Sequence, residues 1–241
     1  MSRLLINCDL GEWDARHLGL VDHIIMPHID MCNIALGSHA GSITIIKYSV
    51  QLATNHRVKI GAHPGYNDRD NFGRTPINLS DDAFVSMIDN QLELLQNISS
   101  QMNTEVYHVK PHGALYHKIC DHEKYFSMFY NLISEKYSHL KIVCRAKSKF
   151  ATFLQKENAD YLAESFIDRA YNSNLTLKDR GLEDAVIEDV ELASKQYSML
   201  ANHKIQTISN EINLSSTTAC IHGDNPKAIS ILQSIRKSYT K

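Results

Sequence analysis

The chain has 241 residues, with 27 acidic and 25 basic side chains and a formal net charge of −2. Hydrophobic residues make up 43% and charged residues 22%, which is ordinary for a globular protein and argues against intrinsic disorder. Because the sequence has neither a basic tract nor a long apolar segment, we expect no nucleic-acid or membrane partner and favour a small-molecule partner.

Seven short apolar runs predict β-strands along the whole chain. They cover residues 4–8, 31–35, 58–62, 106–109, 142–144, 161–166 and 218–221. Segments of helical period lie between them, for example residues 43–53 and 84–98, where apolar residues recur every three or four positions. This alternation predicts an α/β fold with a parallel sheet, but periodicity does not distinguish a closed barrel from an open doubly wound sheet.

The second half of the chain carries two further structural signals. Residues 170–184 are polar with little apolar period, which predicts a long exposed loop. The last helix has the clearest start, because Asn225 can cap it and Pro226 suits the first helical position. Without a repeat or linker, we expect residues 1–241 to form one domain.

Cysteine usage indicates a reducing compartment. The chain has five cysteines and no C-x-x-C pair, so a disulfide framework is not expected. The residues are Cys8, Cys32, Cys120, Cys144 and Cys220. The first residues do not form a secretory apolar core, and we therefore predict a cytoplasmic protein.

Polar residues cluster where the predicted strands end. The clusters occupy residues 9–12, 37–41, 63–66, 110–113, 168–171 and 222–224. Because the carboxyl ends of parallel strands lie on one rim of a βα architecture, these clusters should converge in space. The sequence therefore predicts one functional site rather than several.

Carboxylate and imidazole groups at this rim suit proton transfer. The catalytic candidates are Asp9, His39, His63, His112 and Asp224. The same five side chains could supply a zinc site, but residues gathered from different strands have no diagnostic spacing, so metal content stays open. His108 lies in the fourth strand, and we predict a packing role for it.

Common catalytic and nucleotide-binding signatures are absent from the sequence. It contains no G-x-x-x-x-G-K-[ST] phosphate loop, no G-x-G-x-x-G motif after the first strand and no G-x-S-x-G nucleophile elbow. His122-Glu123 begins like a zinc-protease helix, but Phe126 stands where the second histidine is required. The chemistry therefore has to come from the rim clusters.

Taken together, the rim motifs resemble those of the LamB/YcsF family, in family order over nearly the whole chain. The matching segments are Asn7-Cys8-Asp9-Leu10-Gly11-Glu12, Asn33-Ile34-Ala35 with Gly37 and His39-Ala40-Gly41, Ile60-Gly61-Ala62-His63-Pro64-Gly65-Tyr66, Val109-Lys110-Pro111-His112-Gly113-Ala114-Leu115-Tyr116, Asp168-Arg169-Ala170-Tyr171 and His222-Gly223-Asp224-Asn225-Pro226. The resemblance implies a distorted seven-stranded β/α (TIM-like) barrel of the glycoside hydrolase/deacetylase type.

The resemblance also implies an activity, since the family includes lactam-utilisation proteins and the A component of bacterial 5-oxoprolinase. We would expect ATP-dependent opening of 5-oxoproline to L-glutamate, together with subunits B and C. The substrate-binding candidates are then Asn7, Asn33, Lys110, Arg169, Tyr171 and His222. Lys110 and Arg169 would hold a carboxylate or phosphate.

A mechanistic hypothesis follows from the missing nucleotide loop. The partner subunits would use ATP to activate the lactam, and this chain would perform or share the ring opening. Asp9 or Asp224 would act as general base, and one of His39, His63 and His112 would protonate the departing nitrogen.

The sequence departs from the family pattern at Trp13-Asp14, at Leu36-Gly37-Ser38-His39 and at Glu183-Asp184. These changes flank the polar residues and bear on pocket shape. Two alternatives stay open: a metal-dependent carbohydrate deacetylase-like hydrolase, and a noncatalytic substrate-binding scaffold subunit. The oligomeric state, including a homo-oligomer, is also open.

Overall fold

A computed structural model describes residues 4–13 and 20–239. Seven parallel strands close into a barrel, and a separate hairpin adds two antiparallel strands. The strands are β1 (Leu5–Leu10), β2 (Met31–Ala35), β3 (Lys59–His63), β4 (Val106–Val109), β5 (Lys141–Arg145), β6 (Tyr161–Phe166), β7 (Lys204–Gln206), β8 (Glu211–Asn213) and β9 (Thr218–His222). The barrel order is β1-β2-β3-β4-β5-β6-β9, which confirms the seven-stranded barrel.

Closure of the barrel depends on β9, which pairs with β1 on one side and β6 on the other. In the β1 registers, Asp9 lies opposite Asn33 of β2 and opposite His222 of β9. Polar residues that are far apart in the sequence are therefore neighbours at the carboxyl ends of the strands. The open-sheet alternative is excluded.

Eight α-helices surround the described part of the barrel. They are α1 (Leu20–Ile25), α2 (Ile43–His56), α3 (Asp81–Gln101), α4 (Gly113–Asp121), α5 (Glu123–Lys136), α6 (Lys149–Lys156), α7 (Val190–Ala201) and α8 (Ala228–Tyr239), with a 3-10 helix at Met26–His28. Ser42, Ser80 and Ser148 cap α2, α3 and α6 by accepting a main-chain N–H. None of the described helices is long and apolar enough to cross a membrane.

Strand alternation divides β1 between two environments. Ile6, Cys8 and Leu10 belong to the main apolar core between sheet and helices. Asn7 and Asp9 instead bond to residues of other strands across the barrel interior. A small apolar cluster closes the opposite end of the interior, formed by Met31, Val143 and Leu162 with Leu5 and Tyr107. The interior is therefore apolar at one end and polar at the functional end.

Three local features of the structure differ from the expectations drawn from the sequence. Helix α8 begins at Ala228 rather than at Pro226, although the Asn225 side chain still accepts the Lys227 N–H at 2.9 Å. The hairpin of β7 and β8 was not predicted, because each strand has only three residues. Residues 170–184 lack a helix as expected, but Tyr171 is only 2% exposed and forms bridges to Leu177 and Thr207.

The prediction that the cysteines form no disulfide framework is confirmed. All five cysteines are free thiols and all are buried. Burial raises the pKa of the Cys32 and Cys120 thiols to about 12, so these side chains behave as small apolar groups.

Candidate active site

An open cavity of about 840 Å³ lies at the carboxyl ends of the barrel strands. Its wall includes side chains at the carboxyl ends of five barrel strands, β1, β3, β4, β6 and β9, as the positions of the polar clusters predicted. Those that the sequence had selected are Asp9, His63, Lys110, His112, Arg169 and His222. The parallel barrel therefore converts separate motifs into one candidate site.

On one side of the cavity, three histidines surround a carboxylate oxygen of Glu12. Glu12 Oε1 lies 3.3 Å from His39 Nε2, 3.7 Å from His63 Nε2 and 3.2 Å from His112 Nδ1. His39 stacks on His112 with ring centroids 3.8 Å apart. Glu12 is the carboxylate at the centre of this group, and Asp9, a candidate from the sequence, contacts the group at His63, with Asp9 Oδ2 3.5 Å from His63 Nε2. We refer to Glu12, His39, His63 and His112 as the histidine cluster.

Electrostatics favour neutral imidazole at His39 and His63 next to an ionised Glu12 carboxylate. Burial lowers the pKa of His63 to about 3 and also lowers the pKa of His39. Burial raises the pKa of Glu12, but the facing His112, His39 and His63 side chains outweigh this effect, so that pKa lies well below its usual value.

Lys110 is the cation that balances two buried carboxylates. Its Nζ lies 2.8 Å from Asp9 Oδ1 and 3.0 Å from Glu164 Oε1, and it donates to Cys220 Sγ at 3.0 Å. Tyr116 donates to the other oxygen of Glu164 at 2.6 Å. Burial lowers the pKa of Lys110, but its anionic neighbours raise it more, so the ammonium stays charged. Its ammonium hydrogens are donated to Asp9 Oδ1, Cys220 Sγ and, at 3.4 Å, Asn7 Oδ1, so Lys110 has little capacity left for a ligand.

Beneath Asp9, two asparagines and a histidine form a buried polar layer. Asn33 Nδ2 donates to Asn7 Oδ1 at 2.8 Å and to Asp9 Oδ1 at 2.7 Å. His108 Nε2 lies 2.6 Å from Asn33 Oδ1, and Asn7 Nδ2 donates to Thr218 Oγ1 at 2.9 Å. His108 therefore packs inside the barrel, as predicted. Asn7 and Asn33 are fully buried and hold Asp9 in place from below.

Asp168 and His222 form a hydrogen-bonded dyad on the opposite wall. His222 Nδ1 lies 2.9 Å from Asp168 Oδ1, and the His222 main-chain N–H donates to Asp168 Oδ2 at 3.1 Å. Burial raises the pKa of Asp168, but His222 and Asn225 lower it more, so the carboxylate is ionised. An ionised carboxylate fixes a proton on the facing nitrogen and leaves the other ring nitrogen as a proton acceptor.

Arg169 is a buried cation that lines the cavity without a carboxylate within ion-pair distance in the described ranges. Its Nε donates to Ala185 O at 3.2 Å and its Nη2 to Lys178 O at 2.7 Å. Burial and the nearby Arg180 lower the pKa of Arg169. A buried guanidinium whose protein partners are neutral carbonyls is suited to receive an anionic ligand.

The structure places two other selected residues apart from this group. Asp224 lies at the cavity edge, where its carboxylate forms ion pairs of 2.7 Å with both Arg74 and Arg180. Tyr171 is buried below the loop, and its hydroxyl accepts the Phe166 main-chain N–H at 2.8 Å. Neither side chain lines the main cavity.

Sequence reasoning did not select Glu12, Asp168 or Glu164 as site residues. Glu12 and Asp168 were within the recognised rim motifs, beside residues that were chosen. Glu164 had a separate signal, because a carboxylate inside the apolar strand β6 is rarely buried without a partner. A rule that treats every ionisable residue of a rim motif or barrel strand as a candidate would have found all three.

The loop that carries Glu12 is held by a buried carboxyl group. Asp22 Oδ2 accepts the Gly11 main-chain N–H at 2.8 Å and the Trp13 Nε1–H at 3.0 Å. Trp13, one of the positions where the sequence departs from the family pattern, therefore bonds to Asp22, and its ring also packs edge-on against Tyr48. Asp14, the other residue of that departure, lies outside the described residues. Burial raises the pKa of Asp22 from 3.8 to about 6, despite both hydrogen bonds.

This raised pKa predicts a pH-dependent effect of Asp22→Asn. The folded state binds the Asp22 proton more tightly than the unfolded chain, so this group's stabilising contribution is present below pH 3.8 and is lost as the pH rises to about 6. The amide oxygen can still accept both hydrogen bonds. At neutral pH we expect the variant to have a free energy of unfolding up to about 3 kcal/mol higher.

Urea unfolding of both proteins between about pH 4 and pH 7 checks this expectation. The difference between variant and parent should grow with pH and shrink towards zero at the acidic end. A difference that stays constant over this range would show that Asp22 has an ordinary pKa.

Comparison with known proteins places this geometry in a family. The model of the LamB/YcsF family matches residues 4–241. Proteins named as the A component of 5-oxoprolinase are similar to this chain, at 37% identity in Pyrococcus abyssi (98% of this chain and 93% of the relative) and 33% in Vibrio campbellii (98% and 96%). A crystal structure of a lactam utilization protein from Thermus thermophilus superposes with a TM-score of 0.88 at 28% identity, covering 98% of this chain and 97% of that one. The chain therefore belongs to the LamB/YcsF family.

Proposed function

We propose that this chain is the ring-opening subunit of an ATP-dependent 5-oxoprolinase, which converts 5-oxo-L-proline to L-glutamate. The names of the relatives support the substrate and the assignment to a multisubunit enzyme. The observation that carries the proposal is that His222, paired with Asp168, and the Arg169 guanidinium line the same cavity. His222 would transfer protons, and Arg169 would bind a small carboxylate.

The chemistry explains why ATP and partner subunits belong to the reaction. A lactam is a resonance-stabilised amide and a poor electrophile at neutral pH. Phosphorylation of its ring oxygen by partner subunits B and C would make the ring carbon far more reactive towards water. Water then adds to that carbon, the C–N bond breaks and the ring nitrogen leaves with a proton; loss of phosphate to a second water yields glutamate.

His222 is the group we assign to proton transfer. Asp168 holds His222 Nδ1, so His222 Nε2 can accept a proton from water and then deliver it to the departing nitrogen of the lactam ring. Asp9, which the sequence suggested as base, is held by Lys110 and Asn33, and its pKa lies well below the usual value because His63 and Lys110 together outweigh the effect of burial. A carboxylate that acidic is a weak base, and Asp9 instead fixes the ammonium of Lys110.

Arg169 is expected to determine affinity for the substrate carboxylate. Replacing Arg169 with alanine should raise KM roughly 10- to 100-fold, because a hydrogen bond to a charged group contributes about 1.5–3 kcal/mol, while kcat changes much less. Arg169→Lys should restore part of the affinity but lack the two-pronged geometry. Steady-state kinetics of the assembled complex give both constants. A fall in kcat at unchanged KM would contradict this role.

The proposal is tested by a glutamate assay with and without the partner subunits. We expect no ATP-dependent glutamate from the purified chain alone and full turnover when subunits B and C are added. ATP hydrolysis with 5-oxoproline by the chain alone would overturn the division of labour. Release of acetate from an N-acetylated sugar without ATP would instead support the carbohydrate deacetylase alternative.

A further inference from the structure

The histidine cluster has an arrangement of hydrogen-bonding atoms that neutral side chains do not satisfy. His63 Nδ1 lies 2.6 Å from Lys110 O, and His112 Nε2 lies 2.8 Å from Phe72 O. A carbonyl oxygen only accepts, so the hydrogen of each neutral ring is on the nitrogen that faces away from the cluster. The nitrogens that face Glu12 are then lone-pair acceptors.

These lone-pair atoms are crowded together around the carboxylate. His63 Nε2 and His112 Nδ1 are 3.0 Å apart, and each is within 3.7 Å of Glu12 Oε1. Acceptors at such distances repel one another unless a positive centre lies between them. Lys110 does not serve this purpose, since its ammonium is bound by Asp9, Glu164 and Cys220.

The spacing of the donor atoms matches tetrahedral coordination. Zinc bonds of about 2.0–2.1 Å to nitrogen and oxygen place neighbouring ligand atoms about 3.3 Å apart. Glu12 Oε1 is 3.7 and 3.2 Å from His63 Nε2 and His112 Nδ1, these two nitrogens are 3.0 Å apart, and the two rings lie at 84° with centroids 4.9 Å apart. His39 is not a fourth ligand in this arrangement, because its ring is stacked parallel on His112 and no single ion can lie in both ring planes. Its Nε2 instead lies 3.3 Å from Glu12 Oε1.

The surrounding chain holds the rings in this position. A Cβ at Gly65 would lie 2.4 Å from His39 Nδ1, and one at Gly73 would lie 2.8 Å from His39 Cβ. Main-chain packing therefore leaves the His39 ring little freedom. The carbonyl bonds on the outer nitrogens of His63 and His112 are the contacts that typically orient metal-binding imidazoles.

We propose that Glu12, His63 and His112 bind one divalent transition-metal cation of the zinc class. Two imidazoles and one carboxylate suit such an ion, whereas Mg²⁺ and Ca²⁺ prefer oxygen ligands. All three residues line the cavity while His39 lies behind them, so the fourth coordination position faces the substrate space. A cation bound there would supply Lewis-acid polarisation of a carbonyl or phosphoryl oxygen.

A second group of ionisable residues in the barrel does not qualify. Asp9, Cys220 and His222 also bring ligand atoms within 4.8 Å of one another. However, Lys110 Nζ already lies 2.8 Å from Asp9 Oδ1 and 3.0 Å from Cys220 Sγ. The lysine ammonium occupies the position that a metal ion would need.

Zinc titration of the metal-stripped chain tests the proposal. Isothermal titration calorimetry should show one Zn²⁺ per chain, with no comparable binding of Mg²⁺ or Ca²⁺. Losing a contact that only orients a metal ligand typically costs 10- to 100-fold in metal affinity, so removing a ligand itself, in His63→Ala or in His112→Ala, should weaken Zn²⁺ binding by at least about 100-fold. His117→Ala is the matched control, because His117 lines the same cavity outside the histidine cluster.

A second measurement needs no variant and guards against misfolding of the histidine mutants. Addition of Co²⁺ to the stripped wild-type chain should produce the visible absorption band of tetrahedral cobalt, and Zn²⁺ should abolish it. Absence of the band, or equal Zn²⁺ affinity in the parent and in folded His63→Ala and His112→Ala, would overturn the site. Both measurements use the chain without lactam, ATP or partners, so their outcome is independent of the ring-opening proposal.

Discussion

Replacing His222 with alanine is expected to lower the rate of glutamate formation by roughly 10²–10⁴-fold, the usual contribution of a positioned general acid–base group. The loss should fall on kcat, because Arg169, the proposed partner of the substrate carboxylate, is unchanged in this variant. The variant should fold, since the main-chain N–H at position 222 keeps its bond to Asp168 Oδ2. Rates at saturating and at limiting 5-oxoproline, measured on the assembled complex, give kcat and KM separately.

Asp168→Asn tests the same dyad through a positioning residue. The amide can donate to His222 Nδ1, which favours the wrong tautomer, so we expect a fall in kcat of similar size with little change in KM. His117→Ala, at a cavity-lining histidine outside the dyad, serves as the control and should retain normal turnover. If His222→Ala raised KM but kept kcat, the chain would be a substrate-binding scaffold, and the catalytic assignment would be wrong.

The location of this site was predictable because strand ends are visible in the sequence. Six of the polar clusters follow predicted strands, and a parallel fold brings such positions to one rim whether or not the sheet closes. Closure itself was not predictable from periodicity, since strand β9 has the same apolar pattern in an open sheet and in a barrel. The family resemblance, rather than the alternation, supplied the barrel.

The roles of individual side chains were less predictable because they depend on contacts between distant segments. Asp224 was predicted as a candidate base, and the structure pairs its carboxylate with Arg74 and Arg180, which follow other strands. Lys110 was expected to bind substrate, but Glu164 on β6 and Asp9 on β1 occupy its ammonium group. Sequence spacing contains no information on such pairings, whereas the barrel register determines them directly.

The largest expected effect on stability comes from Lys110→Met. This change removes the cation between Asp9 and Glu164 and leaves two buried carboxylates facing each other without it. Breaking a buried ion pair from one side typically costs about 3–5 kcal/mol. Urea unfolding should show a loss of this size. Lys118→Met is the matched control, because Lys118 lines the same cavity but has only uncharged partners among the described residues, namely Ile77 O at 3.3 Å and the Tyr125 ring, whose centroid is 4.2 Å away, and its cost should be at most about 1 kcal/mol.

A double-variant cycle distinguishes loss of charge balance from loss of packing. In Lys110→Met/Glu164→Gln one of the two carboxylates is neutral, and the amide can still accept the Tyr116 hydroxyl bond. We therefore expect the double variant to recover a substantial part of the stability lost by Lys110→Met, with a coupling free energy of about 1–3 kcal/mol. If the two changes were additive, the ammonium would contribute mainly by filling space, and the mixed-charge centre of the barrel would not explain why lysine occupies this position.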